Sequence, residues 1–217
     1  MNHVFAPGCA LMLYKPQLAD KVQGFLQQEF KQTSRHLTCC RHVPLLPAGT
    51  QVINVCPGCD RRYRSLYEGV TALSLWEVLA DSSTFPFPDY GGVAMTIQDA
   101  CPTRDQKRTQ AAVRMLLARM KVKIVEPKAT GGQSVCCGDA FYGTLPVASV
   151  KAMMTKRAQD MPENDVVVTC VSCVKSMHLG GKRPRYLVDL LFGEATVPGD
   201  TDPDAWHAEL DRFIGNH

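Results

Sequence analysis

The ten cysteines of this 217-residue chain fall into two runs of the same order, with none left over. The first run is Cys9, the neighbours Cys39 and Cys40, then Cys56 and Cys59 in CPGC. The second is Cys101, then Cys136 and Cys137 in CCG, then Cys170 and Cys173 in CVSC. Corresponding cysteines are offset by 92 (9 to 101), 97 (39 to 136) and 114 (56 to 170), so the order repeats while the loops between differ in length. A chain of this length builds a hydrophobic core without disulfide staples, so the thiols have another use. Thiols are soft ligands, suited to iron–sulfur clusters, zinc or copper(I).

The segments around the cysteines repeat as well. His3–Ala6 and Val93–Ile97 have the apolar content of short buried strands, and each leads into the first cysteine of a run. Helices are predicted over Lys15–Gln32, with Pro16 suited to a first turn, and over Arg104–Lys121, where Val113, Leu116, Leu117 and Met120 share a face. Gln51–Val55 and Asp165–Thr169 again have the pattern of strands, each ending at a CxxC pair that a short helix follows. Ser74 and Glu77 have the spacing of a capping box. The Pro-, Gly- and Ser-rich stretch 81–92 reads as a break. The expected organisation is a first half over 1–82, a linker over 83–92, a second half over 93–192 and an acidic tail over 193–217, with a helix over Pro203–Ile214 capped by Asp202. Strand–cysteine–helix units in this order predict an α/β fold of two similar halves. Ligands of such folds sit at the carboxyl ends of strands, where these cysteines fall.

CxxC at a strand end brings two sulfurs toward one metal, and alone it leaves zinc, a redox dithiol and an iron–sulfur ligand open. Zinc ribbons space their pairs about 15–20 residues apart, whereas 110 residues separate Cys59 from Cys170. Adjacent cysteines fit two atoms of a larger cluster more readily than two corners of one tetrahedral zinc. Five thiols per run also exceed the four of ordinary zinc and cubane iron–sulfur sites.

The order C…CC…CxxC, with Cys136-Cys137-Gly138 in the second copy, resembles the cysteine-rich CCG domain, and two complete copies resemble the B subunit family of heterodisulfide reductases. The resemblance covers most of residues 3–192 and includes Gly8-Cys9. It implies two noncubane [4Fe–4S] clusters, one held by Cys9, Cys39, Cys40, Cys56 and Cys59, the other by Cys101, Cys136, Cys137, Cys170 and Cys173. It further implies two halves facing a shared cluster-binding crevice, where a small disulfide or thiol substrate reacts, with electrons exchanged through an iron–sulfur or flavin-containing partner subunit. Three features depart from the family. The chain is short, and only 15 residues separate Cys40 from Cys56, against 32 between Cys137 and Cys170. The first vicinal pair also continues as Arg41-His42, without the glycine. The rival readings are an electron-transfer or assembly protein without substrate chemistry, and a zinc-stabilised interaction protein.

His42 and His178 lie near the cysteines and are candidate proton donors to a leaving thiolate; hydrogen bonding to sulfur or a surface position is the plainer alternative. Arg61, Arg62 and Arg64 follow the first CxxC, and Lys182, Arg183 and Arg185 the second. Both trios are candidates to meet an anionic substrate, with solvated surface as the alternative. No dinucleotide or flavin fingerprint and no nucleic-acid-binding motif occurs. No apolar run approaches the roughly 20 residues of a membrane span, and Pro7 breaks the short apolar N-terminus, so a cytoplasmic location is expected. The tail 193–217 sets six acids against Arg212, a net −5, which leaves +8 on the rest of the chain.

Overall fold

A short apolar strand followed by a helix buries both by pairing parallel to the next strand, with the helix laid back across the sheet. The computed structural model of the chain, which describes residues 2–37 and 40–217, repeats that arrangement throughout. The chain forms two compact units, residues 1–85 with 209–217, and residues 86–208. Cys39 lies outside the described residues.

The first unit contains β1 (Asn2–Ala6), α1 (Cys9–Tyr14), α2 (Pro16–Phe30), β2 (Thr33–Arg35), β3 (Thr50–Asn54), α3 (Pro57–Leu66), β4 (Thr71–Ser74) and α4 (Leu75–Asp81). The second contains β5 (Ala94–Gln98), α5 (Lys107–Arg119), β6 (Lys123–Val125), α6 (Val147–Gln159), β7 (Asp165–Val168), α7 (Val171–Leu179), β8 (Arg183–Tyr186), α8 (Leu187–Leu191) and the start of α9 (Pro203–Gly215). Both sheets are wholly parallel and have the same order, β2-β1-β3-β4 and β6-β5-β7-β8. The fold is therefore α/β in two similar halves. The middle strands are apolar because both faces are covered: Val4, Phe5, Val52, Ile53, Met95, Ile97 and Val166 through Val168 are buried.

Equivalent strands deliver equivalent cysteines. Cys9 lies three residues past the end of β1, and Cys101 three past the end of β5. Cys56 lies two residues past β3, and Cys170 two past β7. Local chemistry fixes the helices between. Pro16 sits in the first turn of α2. Ser74 Oγ accepts from the Trp76 amide at the head of α4, and Asp202 Oδ1 accepts from the Asp204 and Ala205 amides at the head of α9. In α5, Thr109, Ala112, Val113, Leu116 and Leu117 form the buried stripe. Among the described residues, no helix is long and apolar enough to cross a membrane.

The halves differ between their second and third strands. In the first half the described residues 40–49 form no helix, whereas α6 fills the corresponding stretch of the second. Gly180, at the end of α7, lets α6 approach: a Cβ there would lie 2.3 Å from Ala158 Cβ and 3.2 Å from the Met154 carbonyl oxygen. At the amino end of the second sheet, the nearly buried Asp165 of β7 accepts from Arg183 and Arg185 of β8, tying the edge strand to its neighbour.

Gly180→Ala overpacks this contact and is expected to lower stability by about 1–3 kcal/mol, read as a lower denaturant midpoint; an unchanged midpoint would refute the close packing. A second outcome concerns pH. Burial works to raise the Asp165 carboxyl, but the hydrogen bonds from Arg183 and Arg185 outweigh it and hold it below the ordinary carboxylate value. A lowered folded value stabilises the fold above the unfolded pKa near about 3.9 and loses that contribution as pH falls through the folded value. Asp165→Asn is therefore expected to cost about 1–3 kcal/mol at neutral pH. The gap to wild type should close as pH drops from about 5 to about 2; a gap independent of pH would count against the ion pairs.

Candidate thiol centres

In both halves the chain passes from a middle strand outward to one side of the sheet, then returns to the other side. Loops leaving the two middle strands diverge at their carboxyl ends, and such a point is where open α/β sheets bind ligands. The thiols collect there. Cys170 precedes the first residue of α7, and Cys173 lies in its first turn. Cys101 opens a short 3₁₀ turn after β5, and Cys136 and Cys137 come from the loop after β6.

The five thiols of the second set are joined sulfur to sulfur. Cys136 is hydrogen-bonded to Cys101 and Cys137, Cys137 also to Cys173, and Cys173 also to Cys170. Cys136 Sγ accepts in addition from the Gly138 amide at 3.4 Å and from the Ala140 amide. These hydrogen bonds, the Cys101 thiol first, hold Cys136 well below the ordinary thiol value against its burial. The thiols that donate go the other way. Cys101 is raised by its bond to Cys136 and by burial, Cys137 chiefly by its bond to Cys136, and Cys173 by bonds to Cys137 and Cys170. Cys136 is thus the sulfur of this chain most favoured to lose its proton, and the thiolate is the form that binds metal.

The described thiols of the first set also come together. Cys40, Cys56 and Cys59 pack in one apolar cluster with Ala6, Val52 and Tyr63. Gly8, which precedes Cys9, takes a positive φ of 80°, and a Cβ on it would lie 3.1 Å from Cys56 Cβ and 3.2 Å from Cys59 Sγ. The Gly8-Cys9 turn therefore rests directly on the CxxC pair. Hydrogen bonds from the Cys59 thiol and amide and from the Gly58 amide lower Cys56 despite its burial, while the charge of Cys40 opposes them.

Both vicinal pairs are followed by a left-handed residue: Gly138 at φ 110°, Arg41 at φ 60°. The glycine missing from the first copy thus leaves the sense of the turn unchanged, at a strain of roughly 1–2 kcal/mol for the non-glycine residue. What the second copy adds is a close approach. A Cβ on Gly138 would lie 2.8 Å from Met154 Cγ and 2.9 Å from the Met154 amide nitrogen of α6.

Among the described residues, no group of three or more His, Cys, Asp or Glu side chains is arranged to hold a metal ion. The thiols of the second set meet as a hydrogen-bonded chain, brought together by the strand ends and loops that carry them.

The other expected site residues fall elsewhere. His42 turns Nε2 to the Ile214 carbonyl at 3.0 Å. His178 is exposed in the last turn of α7, five residues past Cys173 and so about 7–8 Å along the helix. Arg64 is paired with Asp60 one turn before it, Arg61 is exposed and Arg62 half-buried on the same helix. Lys182, Arg183 and Arg185 are not brought to the thiols. Helix α7 runs away from the cysteine end, so they lie toward the opposite end of the sheet, where Lys182 donates to the Met161 and Glu163 carbonyls and both arginines bind Asp165.

Several neighbours of the second set were not singled out in the sequence. Asp99, two residues before Cys101, accepts from both Nη atoms of Arg114 at 2.9 and 2.8 Å, from Thr130 and from the Gly131 amide at 2.7 Å. Arg157 of α6 is 2% exposed, and its Nε donates to Gln98 Oε1 at 2.7 Å. The first turns of α9 reach two of the three cysteine loops of this half. Trp206 donates its indole N–H to Ser172, inside the CVSC turn, His207 meets Asp139 beside the CCG turn, and its ring stacks on Tyr142 at 3.8 Å. The available signal was an arginine on the apolar stripe of Val150, Met154 and Ala158, and a carboxylate at a strand end. A cavity of about 480 Å³ is lined by the Glu126–Ala129 loop and the end of α6, with no thiol in its wall.

No protein-family model matches the chain, and neither does any curated protein. Among solved structures it is similar to the aspartate racemase of Picrophilus torridus, with a TM-score of 0.34 and 10% sequence identity over 99% of this chain and 95% of that one.

Proposed function

We propose that this chain is a cytoplasmic iron–sulfur oxidoreductase subunit of the CCG-domain type, in which each five-cysteine set holds a noncubane [4Fe–4S] cluster and a small disulfide is reduced or formed. The observation that carries this reading is the chain of five hydrogen-bonded thiols, drawn from three separate loops to the carboxyl end of one parallel sheet. The donor set suits such a cluster: sulfur only, one more ligand than a four-coordinate site takes, with amides already aimed at Cys136.

Cys9, Cys39, Cys40, Cys56 and Cys59 would hold one cluster, and Cys101, Cys136, Cys137, Cys170 and Cys173 the other. Such clusters supply one-electron steps and an iron with affinity for sulfur. The protein's own contribution is to assemble, orient and shield. The Gly138 and Ala140 amides stabilise negative charge on Cys136. The CVSC turn is held by Trp206, and the CCG turn by Met154 and by His207 through Asp139. The net reaction takes a disulfide, two electrons and two protons to two thiols, with the electrons delivered by an iron–sulfur or flavin-containing partner. A carrier without substrate chemistry is the second reading. The cover of α9 over the second set favours it.

After anaerobic purification, about four iron and four sulfide per cysteine set are expected. Stoichiometric zinc without sulfide would overturn the proposal. Cys137→Ser, and likewise Cys39→Ser, should remove or convert one cluster, cutting iron by up to about half, while the hydroxyl at the buried Cys137 position costs the fold only about 1–3 kcal/mol. Unchanged iron and unchanged electron paramagnetic resonance in both variants would refute the ligand sets. Enzyme and carrier separate on a further measurement. A reduced, loaded enzyme oxidises when a panel of small disulfides is added, and its oxidised form changes its resonance with a thiol; a carrier does neither.

A further inference from the structure

We infer that Arg157 is the buried counter-cation of the second cysteine set and raises the reduction potential of whatever metal group its sulfurs carry. The inference rests on the reading of this set as a metal centre.

A guanidinium buried to 2% exposure normally meets a carboxylate, because an uncompensated buried charge is costly. Arg157 does not. Its Nε donates to the neutral Gln98 side chain at 2.7 Å and its Nη2 to the Ala129 carbonyl at 2.9 Å. Nη1 has no hydrogen-bond partner among the described residues. The nearest carboxylate, Asp160, stands 3.9 Å away and is 54% exposed, so water screens it. Asp99 is already taken up by Arg114, Thr130 and the Gly131 amide. The position is short of negative charge.

Arg157 lines the cavity with Asp160 and with Glu126, which Arg114 already binds, and the sulfurs are the further source of negative charge. Arg157 lies one turn past Met154, the residue on which the Cys136-Cys137-Gly138 turn rests. Gln98, its hydrogen-bond partner, donates in turn to the carbonyl of Val135, the residue before Cys136. Arg157 is thus tied to the vicinal pair through packing and through a hydrogen-bond relay. Burial lowers the Arg157 pKa, and Asp160, Cys173, Asp99 and Cys137 are the groups whose charge opposes that. Thiolate ligation of a metal supplies the anionic charge. The described part of the first half has no helix in the place of α6 and no such cation, so the two sets differ in the charge around them.

The test compares Arg157→Met, Arg157→Lys and Asp160→Asn in the full chain, by potentiometric titration of the loaded protein and by cobalt(II) titration of the iron-free, reduced protein. Removing the cation disfavours the more negative, reduced state. One of two midpoints should fall in Arg157→Met by about tenfold in the oxidised-to-reduced ratio, which is about 59 mV for one electron, and Arg157→Lys should restore most of it. Asp160→Asn, at an exposed and screened position, is the control and should leave that midpoint close to wild type. Iron present with no midpoint moved overturns the inference and leaves the proposed function standing. Absence of iron overturns the proposed function, and cobalt then decides the inference: about tenfold weaker binding in Arg157→Met, recovered in Arg157→Lys, supports it, and equal affinities refute it. If Arg157→Met does not fold, Arg157→Gln, which keeps a polar side chain but no charge, decides by the same two readouts, supporting the inference by a lowered midpoint or weaker cobalt binding and overturning it by neither.

Discussion

Bringing five sulfurs to one place is what the second half of this chain is organised around. Thiols are weak donors and acceptors, so they cannot hold three loops together by themselves. Their assembly depends on a rigid base, and a parallel sheet supplies one: β5 and β7 pair in fixed register, and the turns leaving them start at fixed points. Cys101 and Cys170 follow those strands at the same distances as Cys9 and Cys56 follow β1 and β3. The third contribution, from the loop after β6, is the variable one. It needs an outside support, and in this half α6 provides it.

That support explains where the copies diverge. After each vicinal pair the backbone turns left-handed. In the second copy the turn presses so closely on Met154 that any Cβ would collide. Glycine is demanded there twice, by φ and by contact. Among the described residues of the first copy there is no helix to press against, so the conformational demand alone remains, and Arg41 meets it with moderate strain. The Cys-Cys-Gly signature therefore reports a packed loop as well as a thiol pair.

The strands and the helices between them were legible because each strand is an apolar run that stops at cysteine, and because Pro16, Ser74 and Asp202 mark helix starts. The edge strands β2, β4, β6 and β8 were not, since three or four residues with mixed burial leave little alternation to read. Helix α6 was missed because it mixes Lys151, Lys156 and Arg157 with its apolar residues, and its buried stripe includes the arginine itself. Lys182, Arg183 and Arg185 were placed near the thiols because they follow CxxC closely in sequence. The nine residues of α7 carry the chain about 13 Å back along the sheet. Proximity in sequence holds across a turn and fails across a helix.

The uneven charge of the chain resolves into local pairs. The acidic tail is not a free arm: Asp202 binds Lys151 and caps α9, Asp204 accepts from Tyr142, and Asp211 pairs with Arg41. In the basic body, Arg114 is matched by Asp99 and Glu126, and Arg183 and Arg185 by Asp165. Most of these pairs have at least one exposed member and gain modest stability. Arg157 stands apart, deeply buried with only a screened carboxylate nearby. Desolvating that cation is worth its cost only if the same interior also holds anions that need it. The thiol chain beside it meets that condition when its sulfurs are ligated as thiolates. The buried arginine and the cysteine set are then two halves of one electrostatic arrangement, each too costly to bury alone.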